Sequence, residues 1–226
     1  MGRPVFDTIN SAGILKSGGR ILEIGPKHGR DTVLLAALRP TELVAIELPE
    51  KTPALEKWWG AIQCNKRLIY DNLLYMSDIE ALGKFDLVWC TGVLYHNVEQ
   101  IRLLRRLFDL CNVGAMTVIE SRVIKGYDDA CTIRVCRPGE FWGTPADGIP
   151  AQGWDKDSVI HIPSRGAVKV WLELVGFQNV REWRDVYPPE YAPQRAIFTG
   201  ERTEQSSPYR YYRSADFAGY DIGKAA

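Results

Sequence analysis

Two apolar rhythms alternate along the chain. Short runs in which hydrophobic residues crowd together or alternate with polar ones predict strands: "RILEIG" (20–25), "LVAIEL" (43–48), "RLIY" (67–70), "FDLVWC" (85–90), "AMTVIES" (115–121), "NVREWRDV" (179–186) and "RAIFTGE" (195–201). Between them, "RDTVLLAAL", "TPALEKWWGAIQ", "VEQIRLLRRLFDLC" and "SRGAVKVWLELVG" carry the wider spacing of helices. In the third of these, Ile101, Leu104, Leu107 and Phe108 share one face while Arg102, Arg105 and Arg106 take other positions, which predicts an amphipathic helix lying on a sheet. The fourth begins at Ser164, a good N-cap, and stops at Gly176. Strand alternating with helix predicts an α/β fold, a mostly parallel seven-stranded sheet with helices on both faces.

Two stretches break the alternation. Residues 122–163, after the fifth strand, hold five glycines, four prolines and two tryptophans, too long for an ordinary connection. They predict a substrate-side insertion within a domain spanning 1–202. From 203 to 226 the chain is polar, rich in small residues and interleaved with tyrosines, and predicts a C-terminal tail, either disordered or laid over the surface.

Composition adds few constraints. The chain has 226 residues, 46% of them hydrophobic, enough to bury a proper core. Its 28 basic and 28 acidic residues give zero formal charge, so bulk electrostatics demand neither nucleic acid nor an anionic membrane. No run is long and apolar enough for a membrane span, and "MGRPVFDTINSAG" lacks the pattern of a signal peptide, so a cytoplasmic location is expected. The five cysteines are irregularly spaced and read as reduced thiols, and no metal site is expected.

The chemistry concentrates at the first strand-to-helix turn, "RILEIGPKHGRDT". In an open parallel sheet, ligands sit beyond the carboxyl ends of the strands, so Gly25 and Gly29 mark where a ligand can approach backbone. A dinucleotide fingerprint would need a glycine at 27, where this chain has lysine, and a phosphate loop is absent. Glu23 inside the first strand suits a ligand carrying an ammonium or sulfonium charge. Glu47, ending the second strand, suits the hydroxyls of a ribose. Taken singly, Glu47 or Asp78 would more often be a cap or a solvated loop acid.

This pattern, followed by "MSDIEAL" (76–82) and "FDLVWCTGVLYH" (85–96), resembles the class I S-adenosylmethionine-dependent methyltransferases, which have a Rossmann-like fold. The resemblance implies that Asp78 reaches the adenine amino group, that Ile79 flanks the ring, and that Cys90 and Thr91 lie in the cofactor-binding segment. Three further stretches, "TGVLYHNVEQIRLLRRLFDL", "VIHIPSRGAVKVWLELVGFQNVR" and "YAPQRAIFTGER", are similar to the tRNA wobble-uridine carboxymethyltransferase family and its methyltransferase relatives. In that family a tyrosine and a late arginine help hold the extra carboxylate of carboxy-S-adenosylmethionine, positions that would be Tyr95 and Arg195 here. The family also has an N-terminal extension supplying a lysine, and a Gly-Cys-Gly-x-Gly motif where this chain has Gly-Pro-Lys-His-Gly. Ordinary S-adenosyl-L-methionine is therefore expected as cofactor and a small-molecule or nucleoside-like compound as acceptor. Carboxy-S-adenosyl-L-methionine with tRNA is the alternative.

For catalysis, His96 is the candidate base and Tyr95 the group that orients an acceptor. Each has a competing reading: His96 as the cap of a helix starting near Asn97, Tyr95 as a ring packed on the cofactor. Tyr127 and Trp142, with neighbouring aromatics, read either as a substrate wall or as the insertion's own core, and Arg195 joins them as a substrate-binding candidate. Arg122, Lys125, Arg134 and Arg137 give the insertion's first half a basic bias. A nicotinamide-dependent oxidoreductase and a non-catalytic cofactor-binding domain are the competing classes.

Overall fold

The computed structural model describes residues 2–49, 58–137, 159–184, 186–189 and 192–206. Its main element is a seven-stranded sheet built from β1 (Arg20–Ile24), β2 (Glu42–Glu47), β3 (Lys66–Tyr70), β4 (Phe85–Thr91), β5 (Cys111–Arg122), β8 (Gln178–Trp183) and β9 (Arg195–Arg202), in the order β3-β2-β1-β4-β5-β9-β8. The first five run parallel, whereas β9 is antiparallel to both its neighbours. A second, two-stranded sheet pairs β6 (Ile133–Cys136) with β7 (Ile160–Pro163).

Period-two alternation sends the sheet's side chains into two separate cores. Leu22, Ile24, Val44, Ile46, Val88 and Cys90 face α3 (Gln100–Leu110) and α4 (Arg165–Val175), which contribute Leu104, Leu107, Val168 and Leu172. Ile21, Leu43, Ala45, Leu87 and Trp89 face α1 (Gly2–Ser11) and α2 (Arg30–Ala36), which contribute Val5, Phe6, Ile9 and Leu35. The sheet is thus covered on both faces.

The seven strands of this sheet overlap the seven runs named from the sequence. β5 is longer than its apolar run suggests, and α1 is an addition that the sequence pattern did not reveal. Its Val5, Phe6 and Ile9 recur at helical spacing and are buried, with Phe6 set 6.2 Å from the ring of Trp89. Half of the helix forecast from "TPALEKWWGAIQ" (52–63) falls outside the described residues, and of the rest only Trp58 and Trp59 are helical. α4 has the ends its sequence announces: the Ser164 side chain accepts from Ala167 N, and Gly176 stops the helix at a φ of 117° that favours glycine. The parallel order places the carboxyl ends of β1, β2, β4 and β5 side by side, so the turns leaving them meet along one edge.

Candidate active site

The turn after β1 is a tight, braced loop. Gly25, Lys27 and Gly29 all take positive φ, at 70°, 52° and 68°. Lys27 is unusual there, since a side chain at positive φ is disfavoured. Glu47, buried at the end of β2, compensates: one of its oxygens accepts from Lys27 N at 2.7 Å and the other from Leu48 N at 2.8 Å. A Cβ at Gly25 would come within 2.6 Å of Val93 Cγ2, so a side chain there would collide with the loop after β4. Lys27, His28 and Arg30 are exposed at the rim. Slight burial and the charges of Lys27 and Arg30 lower the His28 pKa.

Glu23 lies beneath this turn, 1% exposed, with Oε2 buried and without a hydrogen-bond partner. Burial raises its pKa to about 8, the Thr32 hydroxyl acts against that, and the charges of Asp31 and Glu47 reinforce it. Three carboxylates, Glu23, Asp31 and Glu47, therefore surround one turn, and the buried one lacks a counter-charge. This arrangement fits a cationic ligand and opposes a phosphate.

Asp31, in the first turn of α2, was not singled out from sequence. Its Oδ2 accepts from Trp89 Nε1 and from Thr91 Oγ1, both at 2.9 Å, and so ties α2 to the end of β4. The available signal was an acid two residues after Gly29, in the first turn of a helix. Cys90 is fully buried in the core and its thiol is pushed up to about 12 by burial, then by Glu120. Its thiol is therefore not available to a ligand. Asp78 is exposed and its Oδ1 accepts from Ala81 N at 3.1 Å, capping the short turn Glu80–Leu82, while Ile79 packs half-buried against the core.

Beyond β4, Leu94–His96 forms a 3-10 turn, and α3 starts at Gln100 with Glu99 as its N-cap residue, so the helix begins later than Asn97 and His96 does not cap it. The rings of Tyr95 and His96 lie 4.1 Å apart. Buried Gln100 donates from Nε2 to Leu94 O at 3.0 Å and to His161 O at 2.5 Å, which fixes this turn against β7. Tyr95 is buried, and burial raises its pKa despite the opposing charge of Arg195, so its hydroxyl holds its proton more firmly than usual.

Arg195 stands beside it, its guanidinium carbon 5.9 Å from the Tyr95 ring centroid. Its Nη1 pairs with Glu120 Oε1 at 2.7 Å. Burial disfavours the Arg195 charge, but Glu120 and the two tyrosines Tyr95 and Tyr187 outweigh that and hold the proton more firmly than usual. Arg122 lies directly opposite Arg195 across β5 and β9, and burial and Arg195 together lower its pKa against the opposing pull of Tyr95 and Glu120. Burial, then Glu120, raises the pKa of Tyr187. Glu120, Arg122 and Tyr187 thus extend the pair named from sequence into a buried polar cluster. An acid at the end of an otherwise apolar strand was the sequence signal for Glu120.

The insertion begins at this cluster. Tyr127 is exposed, and Trp142 lies outside the described residues. The start of α4 grips the intervening segment: the Ser164 hydroxyl accepts from Thr132 N and donates to Ala130 O, and Arg165 donates to Ala192 O and Arg195 O, both at 2.6 Å, while pairing with Asp128 and Glu182. Among the described residues no group of His, Cys, Asp and Glu could hold a metal ion, and no helix is long and apolar enough to cross a membrane.

The sheet order, the reversed β9 and a glycine turn flanked by acids define a class I methyltransferase. The methyltransferase domain family matches residues 1–182, and the chain belongs to that family. Among curated relatives it is similar to the tRNA U34 carboxymethyltransferase of Desulforapulum autotrophicum, 27% identical over 166 residues covering 71% of this chain and 45% of the relative. It is also similar to the protein of that name from Vibrio campbellii, 33% identical over 108 residues, 48% of this chain and 29% of the relative. The chain spans about half the length of these relatives or less. Among solved structures, the N-terminal domain of EvdMO1 in the presence of SAH and D-fucose shares 22% identity at a TM-score of 0.66, covering 89% of this chain and 83% of that one. The Burkholderia thailandensis 1,6-didemethyltoxoflavin-N1-methyltransferase, with bound 1,6-didemethyltoxoflavin and S-adenosylhomocysteine, gives 16% identity and a TM-score of 0.65, covering 89% and 78%.

Proposed function

We propose that the chain transfers a methyl group from S-adenosylmethionine to a small-molecule or nucleoside-like acceptor in the cytoplasm. The observation that carries this reading is the buried carboxyl of Glu23, which has no partner for Oε2 and lies under a glycine turn braced by Glu47. The methionine end of the cofactor brings a sulfonium and an ammonium to that acidic turn. Glu47 holds the ribose hydroxyls with its remaining lone pairs, Asp78 the adenine amino group, and Ile79 one face of the ring. Gly25 and Gly29 allow close approach to backbone, and the main chain of Cys90 with Thr91 borders the methionine.

When bound, the sulfonium supplies a methyl carbon that an acceptor lone pair attacks as the carbon–sulfur bond breaks and its electrons remain on sulfur. The protein's share is alignment and exclusion of water. His96 accepts the acceptor's proton at a ring nitrogen, and Tyr95 and Arg195 orient the acceptor, with Tyr127 and Trp142 beside it. Calorimetric titration with S-adenosylhomocysteine tests the site: micromolar binding that Glu47→Ala weakens by about 100-fold is expected, the order of two charge-assisted hydrogen bonds. Absence of binding by the unaltered chain overturns it.

A second reading is carboxymethyl transfer to tRNA from carboxy-S-adenosyl-L-methionine, favoured by the proximity of Arg195 to Tyr95 and by the names of the curated relatives. Tighter binding of the carboxylated cofactor than of S-adenosylmethionine selects it.

A further inference from the structure

A cleft of about 640 Å³ opens where the chain leaves β5, between that segment, the first strand of the hairpin and the turn before β9. Such a volume lies within the usual range for small-molecule sites and holds a single ring system with substituents. Lys125, Tyr127 and Arg134 line it together with Gln194. Lys125 and Arg134 are both exposed, and neither has an ion pair with any other described residue. Among the described residues that line the cleft there is no acid. Lys125 also borders a second concavity, lined in part by Asp128, Arg165, Tyr187 and Arg195, so it stands between the cleft and the buried polar cluster. The carboxylates of the cofactor turn have their opposite here: cations with no ion-pair partner among the described residues, and an exposed tyrosine.

We infer that this cleft is the acceptor subsite, and that the acceptor is a small planar compound bearing a carboxylate or phosphate, held by Lys125 and Arg134 with its ring against Tyr127. The inference rests on the methyltransferase reading and specifies its substrate class. Two cations on an exposed wall recognise an anion by charge and hydrogen bonding, with a strength that falls as salt rises. The Tyr127 ring supplies a flat apolar surface for a planar body. The backbone fixes the wall's position, since Val123 N donates to Gln194 O and Ile124 N to Pro163 O, both at 3.0 Å. Attack by the acceptor's nucleophile on the methyl carbon leaves the anionic group untouched, so the methylated product remains an anion.

The test incubates the protein with methyl-labelled S-adenosylmethionine and a metabolite extract, then separates small molecules from RNA by size and anions from the rest by anion exchange. Label is expected in small molecules that anion exchange retains, and mass spectrometry of the product separates carboxylate from phosphate. The double variant Lys125→Glu with Arg134→Glu should lower that labelling by about 100-fold, roughly tenfold for each cation lost, with affinity for S-adenosylhomocysteine unchanged. Lys125→Gln with Arg134→Gln should lower it less, and added salt should narrow its difference from the unaltered chain. Label in neutral or cationic small molecules, label in RNA, or normal labelling by the charge-reversed variant overturns the inference. Cofactor bound but no label anywhere overturns the enzymatic reading beneath it.

Discussion

The two ends of the ligand-bearing edge are built on opposite electrostatic plans. At the turn after β1, three carboxylates crowd a backbone held by glycines, and the most buried of them, Glu23, is short of a partner. At the end of β5, Glu120 is likewise buried but is paired with Arg195, and further cations follow along the chain. A buried carboxyl without a partner is costly and persists where a ligand supplies the missing charge, whereas a paired one holds a wall in shape. The first end is thus suited to a cationic cofactor, and the second is a braced frame for a changeable substrate.

The largest effect should come from breaking the braced end. Arg195→Ala strands Glu120, whose side chain is 4% exposed, and loss of one partner from such a pair costs about 3–5 kcal/mol. For a chain of this size the unfolding midpoint should fall by roughly 10 °C. Titration at low temperature should still find the affinity for S-adenosylhomocysteine within about threefold of the unaltered chain, since a 1.4 kcal/mol difference, or tenfold, would need a lost contact. Next is Glu47→Ala, which should show the reverse pattern, a roughly 100-fold weaker cofactor with a smaller drop in midpoint.

Glu23 sharpens the comparison through pH. Its folded pKa of about 8 lies above the ordinary value of 4.5. Its contribution to stability is therefore complete below pH 4.5 and is lost as pH rises towards 8. Cofactor binding has the opposite sign, because a cation favours the ionised carboxylate. Affinity for S-adenosylmethionine should rise by up to about tenfold per pH unit below pH 8, with a proton released on binding. Titration in buffers of different ionisation enthalpy measures that proton, and Glu23→Gln should abolish both the slope and the release. The smallest effect is Ser164→Ala, about 1 kcal/mol from the lost cap of α4, read as a midpoint about 2–4 °C lower with unchanged cofactor affinity.

What the sequence made legible was local. Ser164 and Gly176 mark α4 through chemistry confined to a few residues, and the strands of the parallel half declare themselves by apolar crowding. α1 escaped because its buried stripe is only Val5, Phe6 and Ile9, diluted by a glycine, a proline and polar residues. The helical run named from Val98 becomes a helix only at Gln100, because Glu99 takes a non-helical backbone that side-chain spacing does not show. Non-local relations were harder still. Glu120 and Arg195 are 75 residues apart and meet only because β9 inserts between β5 and β8. The resemblance drew attention to Tyr95 and Arg195, yet the carboxylate between β5 and β9 that fixes the arginine depends on register and could not be read from spacing. The same holds for Asp31, whose partners Trp89 and Thr91 come from a strand that joins it only in the folded sheet.

Hydrogen–deuterium exchange with and without S-adenosylhomocysteine tests this division of the edge most directly. Protection should appear in residues 23–32, 47–48 and 76–82 and in the loop 91–96, while 123–134 exchanges as in the free protein. Protection confined to 123–134, or none at the turn from Gly25 to Gly29, would contradict it and leave that turn as scaffold alone.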